Sequence, residues 1–245
     1  PASGHHEQCY QGNVIGGFTI QADGSLLFFG QGGSVRQWRD GVERVIRSGI
    51  EAERETRFND VIADPAGRVF AGTMASKAAK GRLYRLELDG HATPVVEGVG
   101  TSNGLGFTLD RRGMYFTDSP AHHIYQYDYD AATGAISNER VFVATEPDQG
   151  VPDGMTVDAE GYVWSARWDG SCLVRYSPRG KEVARIAFPA KRVSSVIFGG
   201  PDYMDMYVTC AGGDNKDENG PGAGALYRLR LGIRGLPEFR SRVGL

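Results

Sequence analysis

Three cysteines in 245 residues are too few and too scattered to hold a structure together. Cys9, Cys172 and Cys210 form no CxxC pair, so neither a zinc ribbon nor a dithiol redox centre is indicated. An odd number of lone thiols points to a reducing compartment, and a cytoplasmic location is expected. Long apolar runs are missing too: none approaches the roughly 20 residues of a membrane-spanning helix. Basic stripes are also absent. The net charge is −3 and Lys and Arg are dispersed, which argues against nucleic acid as a partner. No segment keeps a helical apolar period over three turns. GxSxG, HExxH and Walker-type loops do not occur, so a Ser-His-Asp hydrolase has no support. The chain opens on Pro1, without Met and without a charged-then-apolar leader.

Glycine is plentiful. The 35 Gly and 11 Pro suit a protein of many tight turns, and 40% apolar residues with 10% aromatics supply a core between stacked sheets. One phrase recurs five times: GGFTIQADGSLLFF from Gly16, NDVIADPAGRVFAG from Asn59, NGLGFTLDRRGMYFTD from Asn103, DGMTVDAEGYVWSA from Asp153 and SSVIFGGPDYMDMYVT from Ser194. Each begins on a small, amide or acid residue, then runs apolar stretch, polar turn, and second apolar stretch. Starts at Gly17, Asn59, Asn103, Asp153 and Ser195 lie 42, 44, 50 and 42 residues apart. Strand–turn–strand units at that period predict an all-β propeller, one domain over residues 1–245. Between the phrases, SVRQWRDGVERVI, GRLYRLELDGHATPVV, HIYQYDYDAATGAISNERVFV and CLVRYSPRGKEVARI alternate apolar and polar residues as outer strands do. Asp40-Gly41, Asp89-Gly90, Thr133-Gly134 and Arg179-Gly180 mark their turns.

Five inner phrases, with residues 1–15 read as the outer half of another blade, set the expected count. Six blades of about 45 residues need about 270, so the expectation is a six-bladed propeller whose first blade is incomplete at the N-terminus.

A propeller gathers the starts of its inner strands around one axis. Asn59, Asn103 and Asp153 then face a common centre. Asn-Gly and Asp-Gly ordinarily make turns, but here the Asx residue precedes the strand instead of sitting in the hairpin. A carboxylate with amide oxygens is a hard-oxygen set that suits Ca2+, Mg2+ or Mn2+ and tolerates Zn2+. Arg57, two residues before Asn59, is either a structural ion-pair partner or a planar fork for substrate oxygens. Asp60 reads as a strand-capping carboxylate and Asp118 as closing a turn. Trp38, Trp164 and Trp168 read as packing between blades, with Trp168 also able to wall a pocket. His122-His123 reads as a solvated pair.

At these residues the chain resembles the SMP-30/gluconolactonase family, also called regucalcin-like. The resemblance runs through RFNDVIADPAGRVFAGTM at 57–74, SNGLGFTLDRRGMYFTDS at 102–119, GVPDGMTVDAEGYVWSARWDG at 150–170 and PGAGALYRLRL near the end. It implies a six-bladed propeller that hydrolyses sugar lactones with one divalent metal ion. It makes Asn103 and Asp153 metal ligands, Arg57 and Asn59 substrate contacts, and Asp153 the general base as well. The family's further ligand, a Glu in a GEGPxW phrase, has no counterpart here; Glu7 is the nearest carboxylate and lies in the outer-strand stretch. The expectation is therefore a chain that begins just after that phrase. The implied activity is opening of aldonolactones to aldonic acids. The alternatives are a non-catalytic Ca2+- or ligand-binding propeller with an incomplete metal site, and a hydrolase of other esters or organophosphates on the same scaffold. The expected partner is a small sugar lactone, without membrane or nucleic acid; oligomeric state is not legible.

Overall fold

The computed structural model describes His5, residues 7–213 and residues 216–245. Nineteen strands form five sheets. Blade 1 holds β1 (Ile15–Ile20), β2 (Leu26–Gly30), β3 (Val35–Arg39) and β4 (Val42–Arg47); blade 2 holds β5 (Phe58–Ala63), β6 (Val69–Thr73), β7 (Gly81–Leu86) and β8 (Ala92–Val99). Blade 3 holds β9 (Ser102–Phe107), β10 (Gly113–Asp118), β11 (His123–Tyr129) and β12 (Ile136–Ala144); blade 4 holds β13 (Val151–Val157), β14 (Val163–Trp168), β15 (Cys172–Tyr176) and β16 (Glu182–Ala187). Blade 5 is three-stranded, with β17 (Val193–Gly199), β18 (Asp205–Cys210) and β19 (Leu226–Leu229). Each blade is an antiparallel meander in chain order, the expected consequence of short turns between alternating strands.

The all-β propeller is as expected; six blades with an incomplete first are not. The structure has five blades, and the first is a full four-stranded sheet. Two physical reasons account for the difference. The described residues before Ile15 pair with no strand. Their Tyr10 packs instead edge-on against Phe28, with ring centroids 4.8 Å apart, and near Trp38 at 6.4 Å. In addition, residues 230–245 form no hairpin. They run as a strap under the ring, so dividing length by a blade period miscounts.

Four clusters of buried residues fill the four contacts between successive blades. Blades 1 and 2 share Leu27, Phe29, Phe58 and Val69; blades 2 and 3 share Phe70, Leu83, Phe107 and Phe116. Blades 3 and 4 share Tyr115, Ile124, Val157 and Val174; blades 4 and 5 share Trp164, Leu173, Phe198 and Met206. A fully buried side chain such as Phe58 contributes about 2–3 kcal/mol through area removed from water. Blades 1 and 5 share no such cluster, and Phe18, Ile20 and Ile197 remain exposed.

The strap connects the two ends instead. Gly235 N–H donates to Tyr203 O and Ala159 N–H to Arg234 O at blades 5 and 4. Farther on, Arg242 N–H donates to Gly67 O in blade 2, and Ala22 N–H donates to Ser241 O in blade 1. The Gln21 amide, fully buried, donates to Val243 O at 2.9 Å. All these contacts involve the hairpins that follow the inner strands, so the strap lies on the face opposite the inner-strand starts.

The Asp residues of those hairpins anchor turns. Asp64 Oδ1 accepts from the N–H groups of Ala66 and Arg68, while Oδ2 accepts from Arg68 Nε and the Tyr129 hydroxyl. Asp158 repeats the pattern with Glu160, Tyr162 and the Trp164 indole. Within one repeated phrase, the first Asx position therefore serves the axis and the second serves the turn.

Candidate active site

Every inner strand carries a register break at the same height. The break falls between Ile15 and Gly17 in β1, Phe58 and Val61 in β5, and Pro152 and Met155 in β13. In β9 it involves Gly104, opposite the Phe116–Thr117 step, and in β17 it falls between Val193 and Ser195. A bulge turns a side chain out of the alternation of its strand. Here it redirects Asn59, Asp60, Asn103 and Asp153 together.

The glycines beside them serve close approach, not turns. A Cβ on Gly104 would lie 2.5 Å from Met155 N and 2.7 Å from Asp153 O; one on Gly154 would lie 2.4 Å from Ser195 Oγ. A Cβ on Gly17 would meet Asn59 O at 2.5 Å. Inner strands of adjacent blades thus pack backbone to backbone, which draws residues 40 to 50 apart in sequence into one centre.

A directed chain of hydrogen bonds crosses three blades there. Arg57 Nη1 donates to Asn59 Oδ1 at 2.7 Å and to Phe58 O at 2.9 Å. Asn59 Nδ2 donates to Asn103 Oδ1 at 2.7 Å and to Ser102 O at 2.8 Å. Asn103 Nδ2 donates to Ser119 Oγ at 2.6 Å, and Ser119 Oγ donates to Pro152 O at 2.5 Å. Pro152 immediately precedes Asp153. The chain fixes which way each amide faces: the Asn103 nitrogen is taken by Ser119, leaving its oxygen toward Asn59 and the centre. Arg57 uses only Nη1 in these bonds, so its other N–H groups stay available.

Asp153 is buried, and Asp60 is partly accessible from the central channel. Burial pushes the Asp153 carboxyl up to about 8, the nearby Asp60 charge raises it further, and the Gly154 N–H opposes both. Burial likewise pushes Asp60 up to about 6, against the pull of Arg57. Neither carboxylate makes an ion pair with any described residue.

The structure thus brings Arg57, Asn59, Asn103 and Asp153 into one connected centre. Sequence reasoning missed two members. Asp60, read as a strand cap, lies within electrostatic reach of Asp153. Ser119, inside TDSP, links Asn103 to the backbone before Asp153; nothing in a single-letter Ser signals that. Asp118 acts between segments as expected of a turn acid, accepting from Gly100 N–H and Thr101 N–H. Trp164 packs between blades 4 and 5, while Trp168 carries the Arg192 guanidinium 4.9 Å from its ring centre. Glu7 is exposed in the segment before β1. Cys172 and Cys210 are buried and free, and Cys9 is exposed. The polar loop at 212–224 lies partly outside the described residues, as does His6 of the His5-His6 pair.

Residues 1–212 match the family described as the SMP-30/Gluconolactonase/LRE-like region, and the chain belongs to that family. A pentonolactonase, XacC of Haloferax volcanii, is 50% identical over 252 residues, covering 100% of this chain and 86% of that protein. Human regucalcin is 36% identical over 232 residues, 89% of this chain and 77% of its own length. Among solved structures, a luciferin-regenerating enzyme superposes with a TM-score of 0.85 at 28% identity, over 96% of this chain and 84% of that one. A calcium-binding regucalcin from Agrobacterium tumefaciens superposes with a TM-score of 0.83 at 27% identity, over 92% and 79%. No helix among the described residues is long and apolar enough to cross a membrane.

Proposed function

We propose that this chain opens sugar lactones to their acids, with pentonolactones as the preferred class, using one divalent cation held by Asn103 and Asp153. Lactone hydrolysis is the activity that family membership carries, and the Haloferax volcanii pentonolactonase supports the five-carbon class. The observation that carries the site is the pair of carboxylates, Asp60 and Asp153, raised by burial and by each other, beside the oriented Asn103 oxygen.

The donor set fits a cation that prefers oxygen. No group of three or more His, Cys, Asp or Glu occurs among the described residues, so a softer, nitrogen- or sulfur-rich site is not offered. Two carboxylates without a countercharge in a buried centre are the arrangement a divalent cation stabilises. Asn103 Oδ1 and the Asp153 carboxylate would hold it, and it would supply Lewis-acid polarisation of the lactone carbonyl. Asp153 takes the proton of the attacking water, and Asp60 keeps that carboxyl within range of neutral pH. The free N–H groups of Arg57 hold ring hydroxyls, which contributes orientation and not chemistry. Asn59, its donors committed to Asn103 and Ser102, holds the Asn103 amide in register. The proton then returns to the departing ring oxygen, and the free acid leaves.

The test is acid release from a panel of pentono- and hexonolactones, with metal stripped and then restored one ion at a time. Turnover in Asp153→Ala equal to that of the parent would remove the mechanism. A second reading, a cation-binding propeller without turnover, is favoured by the small number of acidic donors. Calorimetry showing tight metal binding with no lactone opening at any loading would select it.

A further inference from the structure

A second cavity lies on the opposite face, where the strap crosses the hairpins of blades 2, 3 and 4. Its volume is about 220 Å3, and its apolar wall is made by Ile62, Leu105, Phe107 and Val157. Two charged side chains also line it, Arg111 from the blade 3 hairpin and Glu238 from the strap. Neither makes a hydrogen bond or ion pair with any described residue, and they do not pair with each other. The Arg111 guanidinium rests 5.3 Å from the Phe239 ring centre. The Glu238 carboxyl, although water reaches it, is held above the ordinary carboxylate range by the surrounding apolar atoms alone.

Arg111 also has an unusual backbone. In blades 1, 2 and 4 the corresponding hairpin residue is a glycine with positive φ, Gly24 at 86°, Gly67 at 93° and Gly161 at 81°. The equivalence is set by the same bond, an N–H donated to the carbonyl three residues back, which Arg111 makes to Thr108 O. Arg111 adopts φ 57°, the left-handed region that disfavours a side chain. Blade 5 accepts the same penalty at Tyr203, φ 56°, whose carbonyl holds the strap through Gly235 N–H. At Arg111 the strained residue instead presents an unpaired guanidinium to a cavity. Strain observed at one position is grounds for a functional hypothesis there.

We propose that this cavity binds a small zwitterion with an apolar body, an α-amino acid of about leucine size. A simple amine would satisfy Glu238 and face Arg111 as a like charge. A simple carboxylate would do the reverse. A molecule carrying both groups neutralises the two together and places its side chain against Ile62, Leu105, Phe107 and Val157. The occupant bridges the strap and blade 3, and so stabilises the underside of the ring. The site is separate from the lactone centre and does not depend on that reading.

The test is calorimetric titration with L-leucine, isoamylamine and 4-methylpentanoate, which share one carbon skeleton and differ in charge. L-leucine is expected to bind at least about tenfold more tightly than either single-charge analogue and to raise the melting temperature. Glu238→Gln and Arg111→Gln are each expected to weaken leucine binding about tenfold while lactone turnover and fold, followed by circular dichroism, stay unchanged. No binding of L-leucine at millimolar concentration, equal binding of isoamylamine or 4-methylpentanoate, or indifference to both substitutions would each overturn the proposal.

Discussion

Raising the pH of the metal-free protein from 5 to 8 is expected to destabilise it, and the effect should run through Asp153. Its carboxyl titrates at about 8 in the folded state against 3.8 for the ordinary group. Between those values the native state holds a proton that the unfolded chain releases. Stability from this group is therefore fully present below pH 3.8 and is lost as pH rises toward 8. The slope is about 1.4 kcal/mol per pH unit, or on the order of 4 kcal/mol across the three units from 5 to 8. Asp60, raised to about 6, adds loss of the same sign over the lower part of that window. The depressed carboxylates Asp23, Asp110, Asp128 and Asp202 act the other way, but below pH 4, outside the window. The assay is urea unfolding in chelator at pH 5, 6, 7 and 8, for the parent and for Asp153→Asn, which keeps the shape and removes the titration. The parent should lose stability steadily and the variant should be nearly flat. A divalent cation should restore the parent at pH 8, since deprotonation is what prepares the site for it. Parallel slopes in parent and variant would refute the reasoning.

Other consequences are equally direct. Ser119→Ala breaks the link between Asn103 and Pro152 without touching a ligand; metal affinity measured by calorimetry should fall about tenfold with a smaller loss of stability. Gly104→Ala pushes a methyl group into the Met155 and Asp153 backbone and should cost about 3 kcal/mol in urea unfolding, whereas Gly24→Ala, with open space around it and only φ 86° to oppose it, should cost about 1 kcal/mol. Phe58→Ala removes a fully buried ring between blades 1 and 2 and should cost about 3–5 kcal/mol by the same measurement. Asp60→Asn removes the like charge beside Asp153, so the Asp153 carboxyl should titrate lower, read by NMR in the metal-free protein.

What the sequence reveals and what it conceals divide along a physical line. Spacing is a property of the chain, and the 42-to-50-residue interval makes the ring and its shared centre readable. Asn103 and Asp153 are recognisable because an Asx residue placed before a strand cannot be serving the hairpin. Features that depend on a neighbour in another blade leave no such mark. Ser119 matters only because a bulge in β9 brings the Asn103 nitrogen to it and β13 brings the Pro152 carbonyl. Asp60 differs from an ordinary strand cap only through its distance to Asp153, which ring closure sets. The Asn-Gly and Asp-Gly pairs look like turns until the next inner strand is seen to occupy the space of the missing Cβ.

The blade count fails for a related reason. The final residues carry no regular alternation, yet they provide bonds that link blades 4 and 5 to blades 1 and 2. Counting strand phrases treats such a segment as leftover length. In this protein it does the joining that no buried cluster does between blades 1 and 5. Separating the strap from the ring should therefore cost far more than its few exposed side chains suggest. The buried Gln21 amide would lose Val243 O, and Arg242 N–H would lose Gly67 O. The hairpins opposite the catalytic centre would then be free to spread, and the inner strands that hold Asn103 and Asp153 in place would spread with them.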